Sequence, residues 1–326
     1  MIQFPLLFLL ILSTQSIECV FQPPGTLDYS QSANWINQPN CPCSGTDCTV
    51  DLSQAYEGNV IFNVEGTITT LKLPRREILL EVVGPLKVIN PFEIYHKATF
   101  FGNPKYYETV TDIEFNEVEI LPNTYAELIL NIPFKITTVM TGNVLQIKGN
   151  GYIETLTLIG TLDIAENNIL TVKKFTSVGY TINLNGFLVI TGWLSSITNT
   201  MISFGEFSHS IQKLTAINDL TMELVTFNVT EFNEEYCDKT PIVLVHSVNG
   251  QIRETSSSFV HDEKKYKLDQ SKNESNIEIV LNNISCQNQY RFYILIFICV
   301  IMVLFCVVFL IILIIKMYAK LHIKKE

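Results

Sequence analysis

From Asn59 to Phe227, apolar and polar residues alternate in short runs such as Asn59-Val-Ile-Phe-Asn-Val64, Thr67-Ile-Thr-Thr-Leu-Lys-Leu73 and Ile153-Glu-Thr-Leu-Thr-Leu158. A two-residue period sends successive side chains to opposite faces, and Val, Ile, Thr, Phe and Tyr suit a pleated, half-buried surface. Gly, Asn and Pro punctuate the runs, as they do at turns. No stretch here carries an amphipathic helical period over twelve or more residues. The pattern predicts an all-β region of many short strands.

A loose repeat runs through it. Gly84-Pro-Leu-Lys-Val88, Gly160-Thr-Leu-Asp-Ile164 and Gly186-Phe-Leu-Val-Ile190 share a Gly-x-Leu-x-Val/Ile core, and Gly142-Asn-Val-Leu-Gln-Ile147 is a stretched version. The steps from Gly142 to Gly160 and from Gly160 to Gly186 are near the roughly 20–26 residues that suit one turn of a β-solenoid. In such a fold each coil buries a row of aliphatic side chains against the last. A β-sandwich is the alternative, since it too yields short, regularly spaced strands. The repeats recur without a Cys-Trp-Cys core, which favours the solenoid. Open solenoid ends expose strand edges and need caps. The expected plan is a Cys-rich N-terminal cap at 17–56, a solenoid at 57–227 and a membrane-proximal module at 228–291.

The two ends carry continuous apolar runs. Phe4–Leu12 is apolar throughout. A helix of that length spans about 14 Å, less than half of a bilayer core of ~30 Å. It fits a signal peptide at 1–16, cleaved after Ser16, with cleavage after Cys19 as the rival. Phe292–Ile315 is uncharged throughout and has no polar face. At ~1.5 Å per residue it reaches about 36 Å and crosses a bilayer with some tilt. The tail, 316–326, holds four Lys and one Glu, which predicts a cytosolic C-terminus. The reading is a single-pass type I protein, N-terminus outside, in the plasma or an endosomal membrane, with membrane lipid as an obligatory partner.

That topology decides the cysteine chemistry. Cys299 and Cys306 fall inside the apolar span. Cys19, Cys41, Cys43, Cys48, Cys237 and Cys286 remain. Six cysteines allow 15 pairings. In the secretory pathway disulfides are the expected state, and the Cys41–Cys48 cluster has no nearby His to complete a zinc site. Adjacent Cys-x-Cys rarely closes on itself, so Cys41 and Cys43 each find a partner farther off, and Cys237 and Cys286 are natural mates. Asn228, Asn273 and Asn283 each begin an Asn-x-Ser/Thr sequon, which marks 228–285 as glycosylated.

Composition agrees. The 326-residue chain is 47% hydrophobic and 17% charged, with a net charge of −10. The charged fraction is below that of ordinary soluble domains, and the acidic balance argues against a nucleic-acid partner.

The string Leu27-Asp-Tyr-Ser-Gln-Ser-Ala-Asn-Trp35-Ile-Asn-Gln-Pro-Asn-Cys41-Pro-Cys43, followed by Val60-Ile-Phe62 and Leu71-Lys-Leu73, resembles the N-terminal region of amnionless-type membrane proteins. The resemblance implies a trafficking co-receptor for a soluble cargo. The chain departs from that family in lacking a Cys-rich module before the membrane span and Phe-x-Asn-Pro-x-Phe signals in the tail. Phe101-Gly-Asn-Pro104 matches part of such a signal, but on the outer side. The tail offers only Tyr318-Ala-Lys-Leu321, a Tyr-x-x-apolar pattern of the kind that clathrin adaptors bind as an extended strand. An interfacial Tyr among lysines, anchoring the helix, explains the same residues.

Catalytic motifs do not stand out. His96, His209, His246, His261 and His322 are dispersed, without paired-ligand spacing. There is no Gly-x-Ser-x-Gly nucleophile elbow and no phosphate-binding glycine loop. Glu154, Asp163 and Glu166 flank the Gly160 turn and could form a glycosidase-type carboxylate pair only if one coil face brought them together. The expectation is therefore no enzyme, no cofactor and no metal. A surface receptor or adhesion protein binding an extracellular protein or glycan leads. A membrane-anchored carbohydrate-active enzyme and an endocytic co-receptor are the alternatives.

Overall fold

The computed structural model describes residues 17–21, 35–36, 41, 43, 45, 47–55, 59–62, 66–102, 113–206, 213–231, 242–261, 264–267, 269–273, 276–281 and 287–323. The chain divides into two units, Met1–Phe232 with Pro241–Asn282, and Asn233–Thr240 with Asn283–Glu326.

The first unit is all-β. After the N-terminal segment, the chain alternates between two sheets, of eleven and fifteen strands. In the first sheet, strands Val144–Ile147, Thr161–Ile164, Thr181–Leu184 and Met201–Glu206 pair in parallel, each with the next. In the second, Phe134–Thr141, Gly151–Leu158, Ile169–Val178 and Phe187–Ile190 do the same. The result is a β-helix-like stack. The sandwich alternative is overturned, because its sheets are antiparallel.

Alternation explains the core. Leu145, Leu162, Ile182, Ile202, Phe227 and Phe259 follow one another up the first sheet, all fully buried. Ile136, Ile153, Val172 and Ile190 form the facing row. Each such side chain contributes about 1.5–3 kcal/mol by leaving water.

Coil length varies along the stack: the register neighbours Leu145, Leu162, Ile182, Ile202, Phe227 and Phe259 are separated by 17, 20, 20, 25 and 32 residues. The Gly142 and Gly160 copies are stacked neighbours in the first sheet. The Gly186 copy leads into Phe187–Ile190 of the second sheet. The spacing from Gly160 to Gly186 therefore joins two different sheets and is not a coil period. Nor does parallel stacking stop at 227, since Thr226–Glu231 is a single strand that pairs onward with Ser258–His261. Beyond it the pairing turns antiparallel, through Lys264–Lys267 on one sheet and Asn276–Leu281 with Asp269–Asn273 on the other.

The two corners of each coil differ. From the second sheet into the first the connection keeps one short length in six successive coils, at 142–143, 159–160, 179–180, 199–200, 224–225 and 256–257. In the last four the leading residue is left-handed, Gly179 (φ 83°), Asn199 (49°), Leu224 (54°) and Ser256 (58°). Their flanking residues Val178, Thr198, Glu223 and Thr255 are in register. A left-handed non-glycine costs about 1–2 kcal/mol. Here it aligns the backbone between coils, with Asn199 N donating to Glu223 O at 2.8 Å and Leu224 N to Thr255 O at 2.9 Å. From the first sheet back to the second, the described connections vary, from 132–133 and 185–186 to 148–150 and 165–168.

The second unit contains one described element, the helix Gln287–Ile323 of 37 residues. Within it Ile296–Ile315 has the length and composition to cross a membrane, with a mean hydropathy of 3.8 and every side chain exposed.

Candidate functional site

The N-terminal segment is held by chemistry as well as packing. Ile17–Phe21 pairs in parallel with Cys48–Asp51, which pairs in parallel with Thr70–Lys72. Cys19 is bonded to Cys41 and Cys43 to Cys48, and all four are buried. Cys43 thus closes on a near neighbour in sequence, not on a distant partner. Cys237 and Cys286 lie outside the described residues. Cleavage after Cys19 would remove one half of the Cys19–Cys41 disulfide.

Lys72 ties the same three strands together, meeting Glu18 at 2.7 Å and Asp51 at 3.3 Å. Burial pushes the Asp51 carboxyl up, but hydrogen bonds from Ser53 and the Lys72 ammonium outweigh it and leave Asp51 below its ordinary value. Hydrogen bonding to Glu18 raises Lys72.

Beside this segment lies an open groove of about 550 Å³, lined by Lys72, Arg75, Arg76, Glu93, Tyr95 and Glu119 among others. The Arg75 guanidinium sits 4.8 Å from the centre of the Tyr95 ring, within cation–π range. The Tyr95 hydroxyl donates to Glu93, which raises the phenol above its usual value. Charges of both signs alternate here, so the groove suits a zwitterionic or peptide-like surface better than a simple anion.

A second concavity of about 390 Å³ runs along the outer face of the first sheet, lined by Gln146, Lys148, Asp163, Asn183, Asn185 and Ser203 with their neighbours. Gln146, Asp163, Asn183, Ser203 and Asn228 occupy one register column on five consecutive strands. The Asn183 amide donates to Asp163.

The carboxylates singled out in the sequence do not converge. Asp163 is on this first-sheet column. Glu154 is on the second sheet, paired with Lys173 at 2.7 Å, and that hydrogen bond lowers Glu154 and raises Lys173. Glu166 is exposed in the turn before Ile169. A strand's two neighbours belong to successive coils, so sequence proximity across a corner puts residues on different sheets. His96 stacks on Tyr125 with ring centres 5.4 Å apart. His246 is on Ile242–Ser247, and the backbones of His261 and His322 lie in the last first-sheet parallel strand and in the helix. His209 lies outside the described residues.

Asn228 is half-buried on Thr226–Glu231, and Asn273 ends the strand Asp269–Asn273, while Asn283 lies outside the described residues. Cys299 and Cys306 are unbonded and exposed on the helix. Through Tyr318 and Leu321 the backbone is helical, not extended. At ~1.5 Å per residue Tyr318 then stands only about 4.5 Å beyond Ile315, nearer the membrane than an extended tail would place it. Sequence reasoning missed Trp193 and Leu194. They are 62% and 83% exposed on a tight loop, and Leu194 has φ 63°. The Gly-Trp-Leu-Ser sequence between Phe187–Ile190 and Ser195–Thr198 was the only available hint.

No family model, no curated protein and no solved structure matches the chain.

Proposed function

We propose that the chain is a single-pass type I surface glycoprotein whose β-solenoid ectodomain binds an extracellular protein or glycan. The observation that carries this reading is the coexistence, in one chain, of two buried disulfides near the N-terminus and a 20-residue exposed apolar segment near the C-terminus. Disulfides belong to an oxidising compartment. The basic tail belongs on the cytosolic side. On this reading residues 1–16 are removed as a signal peptide, and Ile17 begins the mature chain.

The charged groove near Arg75 and the exposed Trp193–Leu194 loop support a binding role, Trp and Arg being the residues that most often carry interface energy.

Protease applied to intact cells tests the topology. It should digest the ectodomain and leave an epitope placed after Glu326 protected. Digestion of that epitope without permeabilisation would overturn the orientation. Cross-linking of the full-length protein on living cells to extracellular proteins or glycans then tests the binding role.

A further inference from the structure

The sequon Asn228-Val-Thr230 lies on a strand whose outer face continues into the polar concavity. Asn228 is in register with Ser203, Ser203 with Asn183, and Asn183 with Asp163. Strands lie about 4.8 Å apart, so the column leads away from Asn228 in steps of roughly one sugar ring. The floor next to Asn228 is recessed, Ser203 being only 9% exposed on the outer face. Ala165, Asn185 and Gly205 also line it, the Asn185 side chain lying over Gly205. A Cβ on Gly205 would overlap Asn185 Oδ1. The walls present amide, carboxylate and ammonium groups from Asn183, Asn185, Asp163 and Lys148, a donor and acceptor set matched to hydroxyl and acetamido groups.

The geometry points to a built seat for the chain's own N-linked glycan: the first two N-acetylglucosamine units on Asn228 lie in this trough, over Ser203, Asn183 and Asp163. The inference rests on the glycoprotein reading and goes beyond it by making one glycan part of the folded surface. In the covalent step the Asn228 amide nitrogen bonds to C1 of a lipid-linked oligosaccharide. The C1–O bond to the lipid pyrophosphate breaks, the pyrophosphate leaves, and the amide loses one proton. A sugar seated this way covers the amide ladder and exchanges water for direct hydrogen bonds to the trough. By contrast, a glycan on a convex or flat face projects into solvent.

The test uses the full chain, expressed in a secretory host that attaches high-mannose glycans and purified in detergent. Peptide mapping first establishes occupancy at Asn228, Asn273 and Asn283. Endoglycosidase H, which cuts between the two core sugars, is then applied to native and denatured protein. The native Asn228 glycan should be released at least tenfold more slowly than that on Asn273, and at the same rate after denaturation. The double variant Asp163→Ala/Asn183→Ala alters only the trough, two and three strands from Asn228, and should abolish the difference while preserving the circular dichroism spectrum. Equal native rates at the two sites, or slow release that the double variant does not relieve, would overturn the seat. An unoccupied Asn228 with occupied Asn273 and Asn283 would overturn it too and leave the glycoprotein reading standing. No occupancy at all would remove that reading itself.

Discussion

Replacing Gly160 by Ala should destabilise the stack from within one corner. Gly160 is buried, and an ideal Cβ there would overlap the Asn143 carbonyl oxygen, with Asn143 C and N at 2.6 and 2.7 Å. Restoring an ordinary contact of 3.4 Å requires the coil below to move away. The same oxygen accepts from Thr161 N at 2.7 Å, so that displacement breaks the hydrogen bond that starts the next strand. A buried group left unpaired costs about 1–3 kcal/mol, and forcing extra volume into a packed site costs about 1–3 kcal/mol more. The expected loss is therefore about 2–6 kcal/mol. With a urea m-value of about 1–3 kcal/mol/M, the midpoint should fall by ~1 M or more. Gly179→Ala is the control. Nothing lies within 4 Å of its Cβ, but its φ of +83° penalises a side chain, by about 1–2 kcal/mol. Urea unfolding of the full chain in detergent, followed by tryptophan fluorescence, separates the two. Wild-type stability for Gly160→Ala, or an equal loss at Gly179→Ala, would refute the argument that coil spacing is set at this corner.

Three further outcomes are expected. Non-reducing peptide mapping should recover Cys19 linked to Cys41 and Cys43 linked to Cys48; Cys19→Ser or Cys41→Ser should lose about 2–5 kcal/mol and be retained before reaching the surface, and free thiols at these positions would contradict the structure. The Asp51 carboxyl is depressed, so its contribution is fully present above pH 3.8 and is lost as pH falls through its lower folded value; Lys72 is raised, so its contribution is present below pH 10.5 and is lost as pH rises through its higher folded value. Asp51→Asn should accordingly flatten the acid limb of stability against pH below 3.8, and an unchanged limb would remove Asp51 from the account. Because the helix continues through Tyr318 and Leu321, Tyr318→Ala should leave antibody uptake from the surface unchanged, while a marked drop would mean that the last turns unwind to meet an adaptor.

The strands were legible because alternation is a local property. Gly151–Leu158 shows its buried positions at Ile153, Leu156 and Leu158 in the structure, and the missed beat between Ile153 and Leu156 is where the strand shifts faces. The apolar helix was equally legible from its uncharged length. Coil length was not. Gly160 and Gly186 look equivalent because each precedes a Leu-x-Ile run, yet one feeds the first sheet and the other the second. Similar inward rows on both sheets make such copies indistinguishable by pattern. The left-handed column was hidden for the opposite reason: Gly179, Asn199, Leu224 and Ser256 share a backbone conformation and almost nothing chemical. The sequence made a carboxylate pair conditional on one coil face bringing Glu154, Asp163 and Glu166 together, and a short corner separates Glu154 from Asp163 by a change of sheet. The outer column from Gln146 to Asn228 required the register of five strands, which no single segment contains.

The unequal corners bear on how such a chain can diverge. A residue added at 159–160 or 199–200 would misalign every coil stacked above it, since those connections keep the same length through six turns. A residue added at 148–150 or 165–168 merely lengthens a connection whose size already varies. Selection should therefore hold one side of the stack to a fixed length and let the other lengthen freely. Relatives separated by insertions would differ along a single side, and a new recognition specificity could arise there without any change to the rows of Leu, Ile and Phe beneath it.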